Sequence, residues 1–340
     1  MSQPAALRWV TDAEPGIRRL GTPQRFRYRD AAGRAVRDDA TLARIRALAI
    51  PPAYGEVWIC ATADGHIQAT ARDARGRKQY RYHEHWQQQR SELKYGQLRA
   101  FGEALPRIRA RLTRRLAEGE ATREAVLAAV VRLLDRTQAR IGNREYARDN
   151  GSYGLTTLRT RHLASLSRGG LRLAFDGKSG VRHELTLSDR RVARVVRRCA
   201  ELPGQPLFQY MDADGAVRGI TSTDVNAWLS EAAGFDATAK LFRTWHGSVA
   251  ALELLLGSLA AERQPLTAII KQVATRLGNT PAVCRKAYIH PAVLALADDL
   301  APPEGRERVE RAAWYRRPRR VAGLSLAERR FLALLGRGKT

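Results

Sequence analysis

Five side chains spread along the sequence could together cleave a phosphodiester bond, which needs a nucleophile, cations for the non-bridging oxygens and an acid for the leaving oxygen. Tyr288 is the predicted nucleophile. The guanidiniums of Arg140 and Arg243 could bind the phosphoryl group, and their charge would favour the phenolate. Lys178 is the predicted acid, because neighbouring arginines would make its ammonium release a proton more readily. Asn279 could donate a neutral hydrogen bond to a non-bridging oxygen.

Each of these residues also has a purely structural explanation. Most tyrosines pack or lie at the surface, and an arginine at a helix end usually satisfies carbonyls or binds a carboxylate. Lys178 in a turn would be solvated, and Asn279 after a glycine is an ordinary turn residue. The combination, in this order along the chain, favours the chemical interpretation.

Two different elements are expected to place Arg140 and Lys178. The span 124–140 is apolar on most sides, which predicts a buried helix with Arg140 at its end. The spans 171–175 and 181–185 alternate in polarity around a glycine-flanked turn, which predicts a β-hairpin with Lys178 at its exposed tip.

The other three residues are expected at the edges of helices. Arg243 would lie just before a helix over 246–259, and Asn279 would follow a helix over 266–277. Tyr288 would lie on the short helix that comes next.

A helix capped by Ser188 is predicted to bury a row of apolar residues, and another helix is expected over 223–233. Five arginines fall mainly outside the apolar row of the first: Arg190, Arg191, Arg194, Arg197 and Arg198. We interpret them as a solvated face that adds long-range attraction to a polyanionic partner.

The order of these patterns predicts an α+β protein. Residues 20–90 contain alternating runs, and a hairpin is expected around Asp64-Gly65, because this dipeptide supplies the positive φ angles of a tight turn. A small β-rich N-terminal domain over 1–90 is therefore predicted. A larger, mainly α-helical catalytic domain with a small β-hairpin sheet would follow over 91–340.

The end of the second domain, 313–340, is predicted to be a basic tail with a terminal helix. Ser325 and Glu328 have the spacing of a capping box, and an apolar run follows them.

Composition favours a polyanionic partner. The 340 residues carry a formal net charge of +25, and the sequence pI is about 11.1. Three widely spaced cysteines argue against a disulfide scaffold or structural zinc. The N-terminus lacks the pattern of a signal peptide, and the longest apolar stretch is too short to span a bilayer. A cytoplasmic protein without membrane contact is expected.

The ordered set Arg140, Lys178, Arg243, Asn279 and Tyr288 resembles the catalytic pentad of type IB DNA topoisomerases, in particular the poxvirus-like enzymes that bacteria also carry. Shorter motifs add to the resemblance: Phe242-Arg-Thr-Trp, Phe175-Asp-Gly-Lys, Gly278-Asn-Thr-Pro and Arg285-Lys-Ala-Tyr. Asn279 stands where the viral members have histidine.

The resemblance implies a monomer that clamps around duplex DNA, with the β-rich domain on one face and the helical domain on the other. The tyrosine would cleave one strand to a 3′-phosphotyrosyl intermediate, the free 5′ end would swivel, and religation would follow. It implies no ATP and no essential metal, so no cofactor is expected. A cytoplasmic, nucleoid-associated enzyme would fit this activity.

DNA contacts are expected from the same resemblance. In the N-terminal domain the expected contacts are Arg77, Lys78, Gln79, Tyr80 and Tyr82. Their cationic groups, amide and aromatic rings are suited to phosphates and base edges. In the catalytic domain the expected contacts are Gly142, Tyr146 and Lys240.

Two other functions are compatible with parts of the sequence. A tyrosine recombinase or integrase shares the pentad, but recombinases usually place histidine three residues before the second arginine, where this chain has Lys240. A non-catalytic basic DNA-binding protein would have no reason to hold Tyr288 and two arginines in this order.

Overall fold

A computed structural model describes residues 7–165, 170–257, 259 and 264–337, without the side chains of residues 146, 149, 150 and 165. The chain divides into two compact units, Met1–Lys94 and Tyr95–Thr340. The first is built around an antiparallel sheet and the second is mainly helical, which confirms the predicted α+β class.

The N-terminal unit contains a five-stranded sheet in the order β2-β1-β3-β4-β5. Its strands are β1 (Gly16–Leu20), β2 (Arg27–Arg29), β3 (Gly55–Cys60), β4 (Ile67–Arg72) and β5 (Lys78–Tyr82). One helix, α1 (Asp39–Ala47), was missing from the sequence prediction, although Asp38 caps it by accepting from the Thr41 N–H.

The hairpin of β3 and β4 is confirmed, but the expected role of Gly65 is wrong. Six residues connect the strands, and Gly65 lies outside the left-handed region. Its lack of a side chain matters for packing instead, because an added Cβ would lie 2.5 Å from Sγ of Cys60.

The second unit begins within the long helix that follows β5. The helices are α2 (Glu84–Ala117), α3 (Arg123–Thr137), α4 (Arg144–Asn150), α5 (Arg190–Glu201), α6 (Ser222–Ala233), α7 (Lys240–Gly257), α8 (Leu266–Leu277), α9 (Pro281–Tyr288), α10 (Pro291–Asp299), α11 (Pro303–Arg311), α12 (Ala313–Arg316) and α13 (Leu326–Gly336). Helix α3 is buried along nearly its whole length, as predicted, and packs against α5, α6 and α7. It is the central element of the core.

Two small sheets complete this unit. The predicted hairpin is confirmed as β7 (Leu171–Asp176) and β8 (Arg182–Leu187), and an unpredicted strand, β6 (Leu163–Ser165), pairs with β7. A second hairpin pairs β9 (Gln209–Met211) with β10 (Val217–Gly219).

Three helix boundaries differ from the sequence prediction. Helix α3 ends at Thr137, because Gln138 adopts a left-handed conformation with φ 54°, so Arg140 lies beyond the helix. Helix α7 begins at Lys240, and Arg243 is therefore inside it. Asp189, rather than Ser188, caps α5 by accepting from two backbone N–H groups. The five arginines of α5 are exposed, as predicted.

The C-terminal segment is more structured than a basic tail. Helix α12 lies in the predicted basic tail, and the aromatic rings of Trp314 and Tyr315 pack against the core. The capping box of Ser325 and Glu328 is confirmed at the start of α13. Among the helices within the described ranges, none has the length and apolar character needed to cross a membrane.

Candidate active site

Arg243 is buried in the first turns of α7 and is only 5% exposed. Its Nη1 donates to the carbonyl of Gln138, and its Nη2 donates to the carbonyl of Leu277 at 2.7 Å. Its guanidinium carbon lies 4.9 Å from the centroid of the Tyr288 ring. The ends of α3 and α8 thus fix the guanidinium against the predicted nucleophile.

Arg140 follows α3 and points toward the turn after α8. Its Nη2 donates to Oδ1 of Asn279 at 2.6 Å and to the carbonyl of Gly278 at 3.2 Å. Burial, and then the positive charge of Arg243, lower the pKa of Arg140. Within the described ranges, Nη1 of Arg140 and Nε of Arg243 have no hydrogen-bond acceptor. The arginine pair therefore keeps N–H donors for an anion.

Asn279 is placed by the end of α8. Gly278 adopts a left-handed conformation with φ 60°, and the backbone N–H of Asn279 donates back to the carbonyl of Ala274 at 2.9 Å. The side-chain oxygen of Asn279 accepts from Arg140, and its amide nitrogen lies 3.4 Å from the carbonyl of Leu277. In this arrangement Asn279 orients the arginine.

Tyr288 is the last residue of α9, which starts with Pro281 and is capped by Thr280. Its carbonyl accepts a hydrogen bond from Oγ of Ser248 at 3.2 Å, and Ser248 lies five residues after Arg243 in α7. Gly247 allows this approach, since an added Cβ would lie 2.8 Å from the Tyr288 carbonyl oxygen. The tyrosine and Arg243 are thus tied to the same helix.

Lys178 is exposed in the turn between β7 and β8, as predicted. The Gly177 N–H donates to the Val181 carbonyl at 2.8 Å, and Ser179 has a left-handed φ of 66°. The turn is therefore well defined although its lysine faces solvent.

A single cavity of about 330 Å³ is lined by four of the five predicted catalytic residues, namely Arg140, Lys178, Arg243 and Tyr288. Gly142 and Lys240, both predicted DNA contacts, line it as well. Asn279 lies behind Arg140, outside this lining. The side chain of Tyr146, the remaining predicted contact here, lies outside the described part of the chain.

Gly142 has a second role in placing Arg140. Its φ is 99°, and an added Cβ would lie 3.1 Å from the α-carbon of Gly154. The next residue of that loop, Leu155, donates its N–H to the Arg140 carbonyl at 2.9 Å. The close glycine contact thus fixes the backbone of the first arginine.

Two residues near the site were missed by the sequence analysis. Tyr153 lines the cavity, and its N–H donates to the carbonyl of Asp176 at 2.8 Å, at the end of β7. His183 lies on β8, and its pKa is lowered by burial and by Arg140 and Arg243. The alternation of the hairpin, which puts His183 on the same face as Leu185, was the available signal for His183.

Behind Arg243, buried polar groups connect α7 to α13. Trp245 donates to Oε1 of Glu328 at 3.1 Å, and Arg109 lies 2.8 Å from carboxylate oxygens of both Glu328 and Asp135. His246 lies 2.9 Å from Asp135. Burial acts to raise the pKa of Glu328, but the hydrogen bond and charge of Arg109, together with hydrogen bonds from the Ser325 backbone and Trp245, outweigh it and the pKa is lowered. Burial also acts to raise the pKa of Asp135, but the hydrogen bonds and positive charges of His246 and Arg109 together outweigh it and the pKa is lowered.

The predicted DNA contacts of the N-terminal unit lie on β5 and in the turn before it. Lys78 pairs with Asp12 at 2.6 Å. Arg77 and Gln79 both contact Asp73, whose pKa is lowered to about 2, chiefly by the Arg77 side chain. The stacked rings of Tyr80 and Tyr82 are 44% and 39% exposed. Exposed aromatic rings beside cations form a surface suited to nucleic acid.

The sequence of the chain matches two known protein families. Residues 83–301 match the family described as eukaryotic DNA topoisomerase I, catalytic core, and residues 25–73 match bacterial DNA topoisomerase IB, N-terminal domain. The chain belongs to the type IB DNA topoisomerases, which confirms the predicted family and enzyme class. A DNA topoisomerase 1B of Acanthamoeba polyphaga mimivirus is 31% identical over 259 residues, covering 72% of this chain and 76% of the viral protein.

Proposed function

We propose that this topoisomerase relaxes supercoiled duplex DNA by transient cleavage of one strand, with Tyr288 as the nucleophile. The observation that carries the proposal is the cavity shared by Arg140, Lys178, Arg243 and Tyr288, in which the Arg243 guanidinium lies against the tyrosine ring. These residues include each chemical part that the cleavage needs.

In the proposed step the phenolic oxygen of Tyr288 attacks phosphorus and gives up its proton to solvent. A phosphotyrosyl bond forms at the 3′ end while the bond to the 5′ oxygen breaks, and Lys178 protonates that oxygen. Arg140 and Arg243 stabilise the charge on the non-bridging oxygens. The reverse reaction, after rotation of the free 5′ end, reseals the strand.

The energy of the broken phosphodiester is retained in the phosphotyrosyl bond, so ATP is not consumed. Charge stabilisation by two guanidiniums serves in place of a metal ion in this scheme. We therefore propose an activity that persists in EDTA.

We further propose that the enzyme acts as a monomer that clamps around the duplex in the bacterial nucleoid. The net charge of +25 supports binding to a polyanion. On this model the predicted contacts on β5, together with Gly142, Tyr146 and Lys240, bind the DNA.

The proposal is tested by plasmid relaxation in EDTA without ATP, with wild type beside Tyr288→Phe and Tyr315→Phe. Wild type should relax plasmids of both supercoil signs, and Tyr288→Phe should bind DNA without forming a covalent adduct. Tyr315 stacks with Arg330 at 4.3 Å, and Tyr315→Phe serves as the matched control that should stay active. An absolute need for Mg²⁺ or ATP, or adduct formation by Tyr288→Phe, would contradict the mechanism.

A further inference from the structure

The ring of His183 lies between the two turns that carry Lys178 and Asn279. His183 pairs with Phe175 across the hairpin, and their rings stack at 5.4 Å. An added Cβ on Gly177, the residue before Lys178, would lie 2.5 Å from Cδ2 of His183. A Cβ added to Gly278, the residue before Asn279, would lie 3.2 Å from Cε1 of His183. The imidazole therefore contacts the lysine turn on one side and the asparagine turn on the other.

Both neighbouring glycines are needed for this arrangement. A side chain at Gly177 would occupy the space of the imidazole, and the left-handed φ of Gly278 also disfavours any other residue. The ring thus fills a gap that two backbone positions leave open, which fixes the distance between the turns.

The electrostatic surroundings show how His183 can act. Burial and the charges of Arg140 and Arg243 lower its pKa, so the ring is neutral at neutral pH. No residue in the described ranges forms a hydrogen bond with the imidazole ring of His183. A neutral ring without polar partners contributes through its shape and contacts rather than through charge.

We propose that His183 is a positioning residue for Lys178, and that its ring holds the hairpin turn against the Gly278–Asn279 turn so that the lysine reaches the leaving 5′ oxygen. This inference rests on the proposed function, because it assumes that Lys178 is the acid. It assigns His183 no direct contact with the reacting atoms.

The test measures single-turnover cleavage by wild type, His183→Ala, Lys178→Ala and the double variant. Each is assayed on ordinary DNA and on DNA whose leaving 5′ oxygen is replaced by sulfur, which needs little help from an acid. His183→Ala should cleave ordinary DNA about 10- to 100-fold more slowly, since a displacement of about 1 Å has such an effect. Sulfur should restore most of its rate, and the double variant should be no slower than Lys178→Ala.

Glu184→Ala is the matched control, because Glu184 is the next residue of the same strand and is exposed. It should cleave both substrates at the wild-type rate. If His183→Ala does not fold, as judged by thermal unfolding, His183→Asn replaces it with the same expected results.

Three outcomes would overturn the role of His183: a wild-type rate, an equal defect on both substrates, or a double variant whose defect is the product of the two single defects. Failure of sulfur to rescue Lys178→Ala is a different result, because it would refute the acid role of Lys178 in the proposed function. The two failures are therefore distinguishable.

Discussion

Arg243 and Lys178 line one cavity, but the protein holds them in opposite ways. Arg243 is buried in a helix with both terminal nitrogens bound to carbonyls, whereas Lys178 is exposed in a turn and no residue in the described ranges pairs with its ammonium. A cation that stabilises developing charge acts best when it is fixed in advance. A proton donor must instead reach one particular leaving atom. The contrast suggests that the two cations can be separated by experiment.

Of the two cations, Lys178 is expected to give the larger loss of cleavage, in the variant Lys178→Ala. General acid catalysis contributes about 10²- to 10⁴-fold, so single-turnover cleavage should fall by this factor. The free energy of unfolding should change by less than about 0.5 kcal/mol, because the side chain is exposed. A large loss of stability, measured by urea unfolding, would show that the turn is part of the scaffold.

Replacing Arg243 should lower both the cleavage rate and the free energy of unfolding. Arg243→Ala should slow cleavage by about 10²- to 10³-fold, as for the loss of one donor to an oxyanion. It should also lower the free energy of unfolding by about 1–3 kcal/mol, because two buried carbonyls lose their donor.

Arg243→Lys is the informative companion variant. One ammonium cannot reproduce the fork that joins the carbonyls of Gln138 and Leu277, so a defect in both assays is expected. If Arg243→Ala were as stable as wild type, Arg243 would not differ from Lys178 in its contribution to the scaffold.

Asn279→Ala should have a smaller effect. It removes one hydrogen bond to Arg140 but leaves the bond from Arg140 to the Gly278 carbonyl. A hydrogen bond to a charged group contributes about 1.5–3 kcal/mol, which corresponds to a cleavage rate at most roughly 13- to 160-fold lower. A loss beyond this range would indicate that Asn279 contacts the phosphate directly.

The smallest effect on chemistry, and a clear effect on stability, is expected from Glu328→Gln. The folded pKa of Glu328 is lowered, so its ionised form contributes stability above the unfolded pKa of about 4.3 and loses it as the pH falls below that value. Urea unfolding at pH 7 should show a loss of about 1.5–3 kcal/mol in the variant. The difference in free energy of unfolding between wild type and Glu328→Gln should be smaller at pH 3. A difference that does not change with pH would contradict a contribution from the ionised Glu328 carboxylate.

The sequence was sufficient where local signals decide the structure. The helix that ends at Leu277 was predicted to the residue because Gly278 terminates it, and the helix of Tyr288 starts at Pro281 after a threonine cap. The hairpin of Lys178 follows from alternation and glycine in the turn. These features depend on residues next to each other in the chain.

The sequence was not sufficient where polar groups are buried by distant partners. Arg243 was predicted just before a helix, yet it lies buried inside α7, where the carbonyls of Gln138 and Leu277 accept its hydrogen bonds. The partner of Arg243 at Gln138 is 105 residues away. No local pattern contains that information, and the place of His183 between two turns was missed for the same reason.

The contacts of α13 have a consequence for protein synthesis. Glu328 and Phe331 are made after Tyr288, so a growing chain contains all five proposed catalytic residues before Trp245 and Arg109 receive these partners. Until then Arg109 has Asp135 and the Gly323 carbonyl as partners, and the Trp245 ring contacts Phe101 but lacks Phe331. The order of translation thus delays the complete set of contacts around Trp245 and Arg109 until α13 has been made.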